Sequence, residues 1–102
     1  MLEICKMLPH YPECARIRGQ LGGAGTSVGA NYEEADGALI KKDFVNKVGI
    51  SRKEAKETRY FLRTISGTYL DLSEIAADIR ESEEIINILS SIINRLTGGR
   101  KS

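Results

Sequence analysis

The sequence predicts an all-α fold, an antiparallel up-down bundle of four helices whose first member is shortened. Three observations carry that prediction. Pro9 and Pro12 are the only prolines, so everything beyond Pro12 is free of the strongest helix breaker. Apolar residues recur at alternating steps of three and four through the second half of the chain, while strand-type alternation is scarce. The length of 102 residues, with 41% apolar and 28% charged positions, suits one globular domain spanning residues 1–102 and not two.

The first helix is expected from about Leu2 to Leu8, ended by Pro9, and a short polar break, PHYP, follows it. The second is expected from about Glu13 to Gly37. The third runs from about Lys41 to Ser66, on a stripe of Phe44, Val48, Ser51, Ala55, Thr58, Leu62, Ile65 and Tyr69; this is a 3-4 repeat that buries one face. Gly67 is placed to stop it. The fourth runs from about Leu72 to Leu96 on the stripe Ile75, Ile79, Ser82, Ile86, Leu89, Ile93 and Leu96, with a bend expected near Arg80–Ser82. A second stripe, Ile85, Ile88 and Ile92, widens its expected buried face. Gly98 and Gly99 with the polar tail RKS end it. Such short connections force neighbouring helices to run antiparallel.

Residues 19–30, GQLGGAGTSVGA, hold five of the ten glycines. Each glycine inside a helix costs about 1 kcal/mol relative to alanine. A phosphate-binding loop is a poor reading, because the spacing GxGxxxG departs from the dinucleotide fingerprint and no strand precedes it. Ala30 also stands where a P-loop needs lysine. The better reading is close helix packing. Gly19 and Gly23, Gly25 and Gly29, and the row Gly22, Thr26, Ala30 would let a neighbouring backbone approach. On that reading Gly25→Leu disrupts the fold.

Catalytic chemistry is poorly supplied. The single His10 lies in the PHYP break and cannot furnish a two-histidine di-iron site. Cys5 and Cys14 lack zinc or redox spacing and are expected as reduced packing residues. Glu33 and Glu34, like Glu83 and Glu84, are sequence neighbours that point about 100° apart on a helix and form no dyad. We expect no enzyme, no cofactor and no metal. The start, MLEICKMLPHYPECAR, lacks the pattern of a signal peptide, and no apolar run reaches membrane-spanning length, so a cytoplasmic protein without membrane contact is expected.

Net charge is +1, but it is unevenly spread: residues 41–63 hold eight basic groups against three acidic, and residues 71–84 hold six acidic against one basic. Two readings stay open. The opposite charges complement each other within or between subunits, or Arg52, Lys56, Arg59 and Arg63, joined by Lys41 and Lys42, present a face to phosphates. Asn31 and Glu34 follow the glycines. One of them meets Lys47 or Glu54 of the third helix and fixes register, or both face solvent.

The segment Gly25–Ile65 resembles a known family. Thr26–Asn31, Glu34–Ala35, Lys41, Asp43–Phe44, Lys47, Lys53–Ala55 and Glu57–Thr58 match the pattern of the intervening-sequence or S23 proteins, first met as reading frames inside bacterial large-subunit ribosomal RNA genes. The resemblance implies a left-handed antiparallel four-helix bundle that assembles with itself as a homopentamer. It also implies a distant relation to basic pentamers that bind nucleic acid and a reverse transcriptase, and it supplies no active site. Two departures stand out. The longer first helix usual in the family is represented only by MLEICKMLP: either the start codon is assigned late, or the bundle has a stunted first helix whose exposed groove is expected to recruit a neighbouring chain. Arg59 and Arg63 occupy positions often acidic in the family, which favours an anionic partner. The expected function is a non-enzymatic oligomeric scaffold with RNA contact through the third helix. The alternative is a protein-binding oligomerisation module without nucleic-acid contact.

Overall fold

A computed structural model describes the backbone of residues 2–98 and the side chains from Ile4 onward. Gly99 and the tail expected to follow the last helix lie outside the described residues. Four helices follow in order: α1 (Leu2–Met7), α2 (Pro12–Asp36), α3 (Lys41–Ile65) and α4 (Leu72–Leu96). The three long helices have 25 residues each, or about 37 Å at 1.5 Å per residue. They lie side by side in a body of 44 × 21 × 17 Å.

Local chemistry accounts for the boundaries. Helix α2 begins one residue earlier than expected, on Pro12 itself. Its missing N–H is one of the donors a helix start leaves unused, and its φ is already helical. Helix α3 stops at Ser66 because Gly67 turns into the left-handed region (φ +79°), which glycine enters without a Cβ penalty. The Gly67 N–H then donates to the Leu70 carbonyl at 2.7 Å. Helix α4 starts in a capping box, the Asp71 N–H donating to Glu74 Oε1 at 3.4 Å, which satisfies a donor at the entry. It runs through Arg80–Ser82 as one continuous helix.

Two apolar clusters build the core. One joins Ile4 and Leu8 of the α1 region, Cys14 and Leu21 of α2, Leu62 and Ile65 of α3, Leu70, and Ile75 of α4. The other joins Ala35 from the end of α2, Val48 from early α3, and Leu89 and Ile93 from late α4. The start of each long helix thus meets the end of the next, which makes successive long helices antiparallel. Between the clusters α3 buries only small side chains, and α4 buries Ser82 and the apolar Ile86. Ser51, Ala55 and Thr58 of α3 and Ser82 of α4 are buried there. Their hydroxyls donate to the carbonyls of Val28 (2.7 Å), Glu54 (2.9 Å) and Ile79 (2.7 Å), for Ser51, Thr58 and Ser82 in turn. Each buried hydroxyl therefore keeps a partner, as burial without loss requires.

Helix α3 is central, packed along α2 and along α4, while α2 and α4 hardly touch. Helix α1 covers only one end of the space between them. Its Cys5 Sγ lies 3.8 Å from the Arg18 carbonyl, and the Arg18 guanidinium donates to the Pro9 carbonyl at 3.1 Å, holding the break in place. The rest of the space is an open cleft. Val28 and Ile85 line it throughout, with Gly25, Ala55 and Ser82 toward one end and Gly29, Tyr32 and Ile88 toward the other. Ile88, expected to widen the buried face of α4, is 60% exposed at this cleft.

Candidate nucleic-acid interface

The buried stripe of α3 is the one its spacing predicts: Val48, Ser51, Ala55, Thr58, Leu62 and Ile65 all face inward. Burying that face turns the intervening positions outward. A shallow bay results along α3, lined by Gly49, Arg52, Lys53, Lys56, Glu57, Tyr60 and Phe61. These residues fall at i, i+3, i+4, i+7, i+8, i+11 and i+12, one continuous face of a helix. No side chain or neighbouring backbone would lie within 4 Å of a Cβ at Gly49, so the bay is open at that end. Tyr60 is 66% exposed. Its ring meets Phe61 edge-on, with centroids 5.7 Å apart and planes at 70°, and Phe61 itself packs against the larger apolar cluster.

The basic residues divide by their surroundings. The Arg52 guanidinium donates to Ser90 Oγ at 3.5 Å, and Arg63 forms an ion pair with Glu83 at 3.0 Å; both lean toward α4. Among the described residues, Lys53, Lys56 and Arg59 are in no ion pair. Of the acidic stretch of α4, Glu83 pairs with Arg63, whereas Asp78 and Glu81 line the cleft on the α2 side. Lys41 and Lys42 are exposed at the start of α3. They lie ten or more residues before Arg52, about 15 Å along the axis, and so outside the bay; the expected basic set is not one patch.

The polar residues expected to fix register are placed differently from one another. Glu34 and Lys47 do meet across α2 and α3, at 2.8 Å, but with side chains 58% and 39% exposed; such a pair contributes little. Asn31 donates to the Ser27 carbonyl of its own helix at 2.9 Å and reaches no neighbour. Glu54 meets neither; its carboxyl is held above the usual glutamate range by partial burial first, then by the Glu57 carboxylate one turn on, against the opposing pull of Lys53. The contact that does tie α2 to α3 in the interior is Ser51 to Val28. The sequence signal for it is only a serine at a core position of the 3-4 stripe.

The glycines correct the packing expectation. Gly19, Gly23, Gly29 and Ala30 are exposed, and nothing would lie within 4 Å of a Cβ at Gly19, Gly23 or Gly29. At Gly22 α1 does come near, with Cys5 Sγ 4.0 Å from the position of a Cβ, and Gly25 lines the cleft. Lowering the helix propensity of α2 at the exposed positions thus gains no contact within the chain.

Together these features define a small helical bundle with a cationic, aromatic-bearing helix face, and among the described residues no helix is long and apolar enough to cross a membrane. The chain belongs to the 23S rRNA-intervening sequence protein family, whose profile matches residues 1–91. It is similar to a crystal structure of a protein of unknown function from the S23 ribosomal protein family of Bacteroides thetaiotaomicron. That similarity has 40% identity and a TM-score of 0.72, and covers 76% of this chain and 72% of the other. Among curated proteins none matches.

Proposed function

We propose that this chain is a non-enzymatic, self-assembling cytoplasmic scaffold that binds RNA through the outer face of α3. The observation that carries the proposal is the cationic face itself. Lys53, Lys56 and Arg59 stand within two helical turns without an ion pair among the described residues, and the acids Asp78 and Glu81 of α4 turn toward the cleft. Like charges at i and i+3 or i+4 cost helix stability, a cost that an anionic partner offsets through counterion release. Assembly into a ring of five is part of the proposal by resemblance. A second reading rests on the open cleft between α2 and α4: its apolar lining, with Ile88 and Tyr32 exposed, suits a protein-binding module.

Light scattering on the purified chain, with and without structured ribosomal RNA at low and moderate salt, tests the proposal. An assembly that takes up RNA, and whose affinity falls linearly in log–log salt plots, supports it. An assembly that ignores RNA at low salt overturns it in favour of the protein-binding module.

A further inference from the structure

Resting on the RNA-binding reading, we infer that the bay on α3 takes an unpaired nucleotide, with its base stacked on Tyr60 and its flanking phosphates on Lys53 and Lys56. The argument starts from Tyr60. A tyrosine two-thirds exposed on a helix face contributes little to the core. Its ring contacts that of the half-buried Phe61 edge-on, with centroids 5.7 Å apart. The edge-on geometry between the two rings leaves Tyr60 with a bare face.

Lys56 precedes Tyr60 by one turn and Lys53 by two, so charge and ring lie on the same face within about 11 Å along the axis. Arg52 closes the side toward α4. Glu57 lies at the opposite edge, where it also borders the α2 surface formed by Ala15, Arg16 and Gly19, and its carboxylate confines a phosphate path to the lysine side. A duplex offers such a face only its phosphates, since its bases are stacked and paired. Unpaired bases are free to stack on an aromatic ring, the mode by which proteins hold single-stranded nucleic acid.

The test uses the full chain and fluorescence anisotropy with two labelled probes at fixed low salt: a mixed-sequence single-stranded RNA 12-mer and an RNA duplex of the same length. The expected result is tighter binding of the single strand. Tyr60→Ala weakens it about five- to hundredfold, the range of one stacked base, and changes duplex binding less than twofold. Tyr60→Phe retains single-strand binding and separates loss of stacking from loss of fold. Lys53→Ala with Lys56→Ala weakens both probes and flattens the salt dependence. If Tyr60→Ala leaves single-strand affinity unchanged while the lysine variants weaken it, base stacking is overturned and RNA binding through charge stands. If neither probe binds, or if polyglutamate binds in their place, both the inference and the reading beneath it fall.

Discussion

The Ser51 hydroxyl, fully buried, donates a 2.7 Å hydrogen bond to the backbone carbonyl of Val28 on the neighbouring helix. The two residues are 23 positions apart, so this single bond ties α3 to α2 in the interior of the bundle. Removing the hydroxyl takes one buried bond and leaves a methyl-sized side chain in place. Ser51→Ala is expected to lower stability by about 0.5–1.5 kcal/mol, read as a drop in urea midpoint with an unchanged slope.

The exposed glycines of α2 give the opposite sign. At Gly23 an added methyl meets open space, and alanine restricts the unfolded chain more than glycine does. Gly23→Ala should therefore raise stability by about 0.4–1 kcal/mol, seen as a higher melting temperature. A loss of stability or of assembly size on light scattering would instead place this face against another subunit.

Leu62 sits at the centre of the larger cluster and is wholly buried. Leu62→Ala should cost about 2–5 kcal/mol, transfer and cavity terms together. That is a large share of the 5–15 kcal/mol typical of a domain. Urea denaturation followed by circular dichroism measures it.

Glu54 links stability to pH. Its carboxyl binds a proton more readily in the folded chain, through partial burial and the neighbouring Glu57. Its contribution is therefore favourable below the ordinary glutamate range and is lost as pH rises through the raised value. Glu54→Gln, which cannot ionise, should be more stable than the parent at pH 7 by a few tenths of a kcal/mol, the scale of a like-charge pair one turn apart. The difference should close by pH 4. Denaturation curves at the two pH values check the sign.

Much of the fold was legible because helical periodicity reports burial directly. The stripe from Val48 to Ile65 is buried at each expected position, and the proline and glycine signals placed the helix ends to within a residue. Less was legible where a residue type has two physical uses. Glycine at i and i+4 marks close packing only if a partner helix lies over it, and partner placement is a tertiary property; α1 reaches Gly22 and stops short of Gly29. A serine in a core stripe reads as a small filler, and its role as a cross-helix donor depends on a carbonyl 23 residues away. The basic face of α3 was visible as composition, but Lys41 and Lys42 belong to its far end. Tyr60 as part of a bay emerged only once the inward face was known.

The small side chains that α3 buries between the two apolar clusters have a mechanical meaning. Most of the apolar burial sits in clusters at the two ends, and between them α3 contributes Ser51, Ala55 and Thr58 and α4 contributes Ser82 and Ile86. Separating the helices at one end sacrifices only that end's apolar contacts, so the free energy of partial opening is well below that of complete unfolding. The end holding Ala35, Val48, Leu89 and Ile93 carries the smaller cluster, so its amides are expected to exchange with solvent faster than those of the α1-capped end, which hydrogen exchange measures.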